Sequence, residues 1–219
     1  MGGERSMTAA ARRPLHIIAD TDEHDDTAAI GAHAGVDVEI PETWQSQTVL
    51  NQWESEHQLI GALMWMSAEQ ARPILELVPD TAIWRPTIRW AYQIIRRLVH
   101  DGRDPDPVTV LATAKHQPCS EAVNPEQPPT PVRHHKLAVY LANAYTQTIS
   151  AVAAESYARE VLDEAYRRAF RFHGIRMQQF ADCGAERGHL TAEFIAIRDD
   201  LADWRRRAEA AAKPGWSQP

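Results

Sequence analysis

From Trp44 to Ala208 the apolar residues recur every three or four positions, and no stretch alternates singly for long enough to make a strand. That periodicity restricts the chain to helices that bury one face against each other. Leu59, Ile60, Leu63 and Met64 form the stripe of a first helix, and Ala71, Ile74, Leu75 and Val78 form a second that ends at Pro79-Asp80. A third opens after Arg85-Pro86, carries Ile88, Ala91, Tyr92, Ile95, Leu98 and Val99 on one face, and stops at Asp101-Gly102. Asp106 can cap a short fourth helix started by Pro107. Residues 117–135 contain five prolines among Ser, Asn, Glu and Gln and read as a loop without regular structure. Leu137, Tyr140, Leu141 and Ala144 then restore helical spacing.

The last part differs in scale. Ala154, Ala158, Val161, Leu162, Ala165, Ala169 and Phe172 trace one face of a helix predicted over about residues 153–182. Cys183-Gly184 to Gly188-His189 is the predicted turn, and a second long helix is expected from a cap near Thr191. Its apolar residues Phe194, Ile197, Leu201, Trp204 and Ala208 are spaced three, four, three and four, the seam of one helix lying along another. The expected fold is therefore all-α, a globular bundle of short helices followed by a long antiparallel helical hairpin. Its expected divisions are a disordered acidic tail over 1–43, a helical head over 44–150, the hairpin over 151–212 and a tail over 213–219.

Charge divides along the same lines. The net charge is −7, but residues 1–43 hold nine acids against three bases, so the predicted folded part is close to neutral. A dedicated phosphate-tracking protein would carry a basic footprint there. The cluster Asp20-Thr21-Asp22-Glu23-His24-Asp25-Asp26 lacks the glycine and closing glutamate of a calcium loop and reads as a solvated acidic stretch. Cys119 and Cys183 have no metal-ligand spacing, which fits reduced thiols. No apolar run approaches the roughly 20 residues of a bilayer span, and Asp20 interrupts Leu15–Ala19 before a signal-peptide core can form. A cytoplasmic protein without membrane partners is expected.

Chemistry-bearing patterns are few. A phosphate-cradling loop needs glycines followed by lysine and then Ser or Thr. Of the three lysines, Lys115, Lys136 and Lys213, none follows glycine and none precedes Ser or Thr. None of the ten histidines lies four residues from another, as a helical zinc pair requires. His57 and His173 read as surface or boundary residues. Glu54 with Glu56, Asp163-Glu164 and Asp199-Asp200 read as polar helix faces beside arginine, with Glu160 and Glu164 able to pair with Arg167 and Arg168. No catalytic residue, metal site or cofactor is assigned, and the chain is expected not to be an enzyme. Trp84 and Trp90 are expected at the core or its rim, and Trp204 either packs the hairpin or anchors a partner.

Three stretches in order resemble the amino-terminal domain of DnaB-type replicative helicases. Glu54-Ser55-Glu56-His57-Gln58-Leu59-Ile60-Gly61 is similar to the family's opening Glu-x-Glu-x-x-aliphatic-aliphatic-Gly helix. Ile83-Trp84-Arg85-Pro86 through Gly102-Arg103-Asp104-Pro105-Asp106-Pro107-Val108-Thr109-Val110 resembles its aromatic-x-Pro turn, long helix and next helix entry. Tyr140-Leu141, Tyr157-Ala158-Arg159-Glu160-Val161-Leu162 and Arg167-Arg168 resemble its Tyr-Leu and Tyr-Ala-x-x-Val segments. The chain departs from the pattern at Ala138-Val139, where the family usually has Gly-Gly, and at Ile83 and Ile88.

The resemblance implies a head and a hairpin that pair into a collar on which primase docks, with no RecA-like motor in these residues. Self-association and binding to replicative helicase or primase are the expected partnerships, with DNA met only indirectly. Phe194, Ile197, Leu201 and Trp204 are the predicted partner-binding residues, and Asp at 201 and 204 is expected to break association without unfolding the head. The alternative is a helical nucleic-acid-binding regulator using Arg167, Arg168, Arg171, Arg176 and Arg205-Arg206-Arg207.

Overall fold

The computed structural model describes residues 54–120 and 127–217. All of them belong to the second of two units, residues 40–219; the acidic 1–43 segment, Trp44 and Trp53 lie outside the described residues. Seven α-helices and two 3₁₀ turns make up these residues, with no strand among them. The helices are α1 (Ser55–Leu63), α2 (Ala68–Leu77), α3 (Pro86–His100), α4 (Pro107–Ala114), α5 (Pro131–Gln147), α6 (Ala154–Asp182) and α7 (Arg187–Ala211).

Helix ends follow local chemistry. Ser67 and Gln70 form a capping box on α2, each side chain accepting from the other residue's N–H at 3.3 and 3.0 Å. The loop after α3 closes back on this end, where the Asp104 carboxylate accepts from the Ala68 N–H at 2.7 Å. Gly102, at φ +73°, turns the chain out of α3 while the Arg103 and Gly102 amides reach the Leu98 and Val99 carbonyls. Asp106 accepts from the Val108 and Thr109 amides at 2.9 and 3.1 Å and starts α4.

Two boundaries differ from the sequence reading. The expected loop over 117–135 ends early, because α5 begins at Pro131 with the Thr130 hydroxyl accepting from the Arg133 N–H. A proline read as a breaker is here a helix starter, since its missing N–H costs nothing at the first position. His134 consequently lies on α5 and its ring contacts the Leu111 carbonyl at 3.1 Å. Likewise α7 starts at Arg187, so Gly188 is inside it and Thr191 bonds back to the Arg187 carbonyl instead of capping.

α1 lies at the centre of the core, packed against α3, α5 and α6. Leu59, Ile60 and Leu63 of α1, Tyr92, Ile94, Ile95 and Leu98 of α3, Leu137 and Leu141 of α5, and Leu162 of α6 are fully buried together. The Tyr92 hydroxyl donates to the Val78 carbonyl at 2.7 Å, and Arg96 donates to the same oxygen at 2.6 Å. Trp90 is buried and donates to the Gln117 carbonyl, whereas Trp84 is 66% exposed beneath the Arg168 guanidinium. After α7 the chain turns back: Gly215 has φ +66°, Trp216 packs on the core and the Ser217 hydroxyl donates to Glu155.

His57 and His173 are not surface residues, at 7% and 6% exposed. Helical spacing places them on inward faces that periodicity of apolar residues alone does not count. Burial lowers the His57 pKa from its ordinary 6.5, and nearby Arg85 lowers it further against a hydrogen bond from the ring to the Gln147 side chain. Because the folded state binds this proton less readily than the unfolded chain, stability from this group is intact above about pH 6.5 and declines as pH falls below it. Thermal unfolding between about pH 7.5 and pH 5.5 should show a shallower decline in a His57→Gln variant than in the wild type. An unchanged slope would refute the assignment.

Candidate interaction site

The hairpin of α6 and α7 is built to stand firmly on the head. Glu56, buried on α1, accepts from the Trp84 amide at 2.8 Å and the Arg85 amide at 3.4 Å, and pairs with Arg168 of α6 at 3.6 Å. Arg168 also donates to the Ala82 carbonyl. Burial lowers the Arg168 pKa, while Glu56 and Glu164 hold its charge. Glu56 is therefore a buried three-way junction, not the solvated helix-face acid expected from sequence, and Arg168 turns to it. Arg207 of α7 donates to the Leu77 carbonyl at 2.9 Å, and Arg159 of α6 donates to the Ala211 carbonyl at 3.0 Å.

Further out, the two helices brace each other. His173 meets Asp200 at 2.7 Å and Arg176 pairs with Glu193 at 2.7 Å. Gly184, at φ +66°, makes the reversal, and the Phe180 and His189 rings pack edge to face at 5.1 Å. The α6 seam runs Ala158, Leu162, Ala165, Ala169, His173; Phe172, assigned to that seam from sequence, is 61% exposed. Steps of four after Ala165 keep a 3.6-residue helix on the same side, and the polar side chain of His173 disguised the last step.

The four predicted partner-binding residues divide. Phe194 is exposed, Ile197 is 3% exposed inside the hairpin, and Leu201 and Trp204 are half-buried, Trp204 packing on the core. A seam with period three and four is consumed here by α6 of the same chain. Asp at 204 would consequently disturb the joint between hairpin and head as well as any association.

What the distal hairpin leaves open is a different set. Phe170 and Met177, two turns apart, lie along one line of α6; Phe172 and Ile175, three apart, lie along another. Leu190, Phe194 and Ile195 are exposed on α7. These are seven of the fourteen large hydrophobic side chains exposed among the described residues, all between positions 170 and 195. Isolated exposed apolar residues are ordinary, but half of those among the described residues fall on this one hairpin. Sequence reasoning missed six of the seven because it followed one seam, although Phe170-Arg171-Phe172 already places aromatics on two faces of α6.

No group of three or more His, Cys, Asp or Glu residues able to hold a metal occurs among the described residues. No helix among them is long and apolar enough to cross a membrane.

Comparison with curated proteins gave no match. The DnaB-like helicase N terminal domain family matches residues 48–163, just over half of the chain, from the approach to α1 into the first third of α6. The matched span contains the Glu56 junction, the Trp84–Pro86 turn and the Asp106 cap, and it stops before the exposed distal hairpin. With a helical head joined to a long hairpin through these residues, the chain belongs to the DnaB-like helicase N-terminal domain family.

Proposed function

We propose that this chain is a non-catalytic protein-interaction module of DNA replication, acting in the cytoplasm, that self-associates through the distal hairpin and joins a replicative helicase or primase. The observation that carries the reading is the concentration of exposed apolar residues at 170–195 on a hairpin anchored to a helicase-family head. Burying such surface against a second hairpin would contribute about 25 cal/mol per Å² of apolar area removed from water. The arginines that motivate a nucleic-acid regulator are largely engaged: Arg205 with Glu209, Arg206 and Arg207 with Asp203, Arg176 with Glu193. Their charges serve the hairpin, which favours protein contact over phosphate contact.

Multi-angle light scattering of the wild type and a Phe170→Asp, Phe194→Asp double variant tests this. Both side chains are exposed, so circular dichroism and melting temperature should stay the same. The wild type should run as a dimer or larger and the variant as single chains. Identical masses for the two would refute self-association through this face, and capture of the host helicase by wild type and variant alike would refute it as the helicase contact.

A further inference from the structure

A second site lies in the head. The amino end of α1, the amino end of α3 and the middle of α5 surround a cavity of about 490 Å³, lined by Glu54, His57, Arg85–Ile88, Lys136, Tyr140, Asn143 and Gln147. That size is in the range of small-molecule sites. His57, 7% exposed, has its Nε2 buried there without a hydrogen bond of good geometry, although the Gln147 side chain lies near the imidazole, and the buried Tyr140 hydroxyl has no partner. The two rings meet edge to face with centroids 5.5 Å apart. Buried polar atoms without a partner are costly; the hydroxyl can donate, and Nε2 donates when it carries the imidazole proton.

The surrounding charge specifies what would accept from them. α3 has 15 residues and its first turn lines the cavity, while the Glu56 carboxylate accepts from the Arg85 amide at its N-cap and pairs with Arg168. Arg85 is paired with Glu54. Lys136 makes no ion pair among the described residues and is left as one net positive charge. Pro86, Ile88 and the aromatic rings supply apolar wall.

We propose that this cavity binds a small monocarboxylate carrying a short apolar body. The carboxylate accepts from His57 Nε2 and the Tyr140 hydroxyl, Lys136 balances its single charge, and the apolar body rests on Ile88 and Pro86. A doubly charged phosphate would exceed the one uncompensated cation. The carboxylate belongs either to a free metabolite or to the carboxyl terminus of a polypeptide, and the experiment separates them. The site is in the head and does not depend on hairpin pairing.

The test is a nuclear magnetic resonance titration of the full chain with phenylacetate, with the blocked tripeptide acetyl-Ala-Ala-Phe bearing a free carboxylate, with inorganic phosphate and with phenethylamine. Phenylacetate or the peptide should saturate, shifting His57, Ile88 and Tyr140; the tighter of the two identifies the source. Lys136→Met, at an exposed position, should weaken binding about tenfold, the loss of one charge-assisted contact. Tyr140→Phe should weaken it too, with undiminished spectral dispersion showing an intact fold. The proposal is overturned if neither carboxylate saturates, if phosphate or phenethylamine binds the same residues as strongly, or if Lys136→Met binds like the wild type.

Discussion

Gly61→Ala should destabilise the head by about 3 kcal/mol, although alanine is the better helix former by about 1 kcal/mol. A Cβ at Gly61 would fall well inside contact distance of the Ala144 carbonyl oxygen and the Thr148 side chain, where α1 crosses α5. Thr148 could rotate, but it would give up its 2.6 Å hydrogen bond to the Ala144 carbonyl. The carbonyl itself belongs to the α5 backbone and can move only with the helix. Because α1 packs on three other helices, any separation is felt throughout the core. Gly174 in α6 is the control, since nothing lies within 4 Å of its Cβ position. Alanine there should stabilise by about 0.5–1 kcal/mol. Urea unfolding of both variants decides the matter, and equal effects of the same sign would mean that the close crossing is not needed.

Removing the junction acid should cost as much. Glu56→Ala leaves the Trp84 and Arg85 amides without their acceptor and Arg168 without its partner, at a cost of about 3–5 kcal/mol for a broken buried pair. For a folded unit of this size that corresponds to a melting temperature lower by roughly 6–12 °C or more. Glu56→Gln should cost less, because its carbonyl still serves one amide. The losses should come with looser attachment of the hairpin, because Arg168 also holds the Ala82 carbonyl. Faster proteolysis within α6 in Glu56→Ala, beyond what its lower stability predicts, is the expected sign; a melting temperature within 2 °C of wild type would contradict the role given to Glu56.

Most of the fold was legible because apolar spacing reports which residues share a helix face. The α3 stripe from Ile88 to Val99, the Gly102 exit and the Asp106 cap each combine periodicity with a residue of restricted backbone or capping chemistry. Punctuation by proline and glycine was less reliable, because Pro131 and Gly188 act within helices whose contacts decide their meaning. Polar residues on inward faces, Glu56, His57 and His173, were invisible to an apolar count. Their partners lie 27 or more residues away in Trp84, Tyr140 and Asp200.

The exposed apolar side of the hairpin was legible only as an element. Spacing identified α7 as a helix with a seam, yet it could not say that α6 would cover Ile197 while Phe194 stayed open. Which edge of a hairpin faces outward depends on where the head is joined, and Arg159, Arg168 and Arg207 fix that through carbonyls on distant segments.

Hydrogen exchange read by peptide as protein concentration rises tests the central claim most directly. Pairing through the distal hairpin predicts that amides over 170–177 and 190–195 become slower to exchange with increasing concentration, while those of α1 and α3 stay constant. Rates at 170–195 that are independent of concentration, or slowing confined to the head, would contradict it.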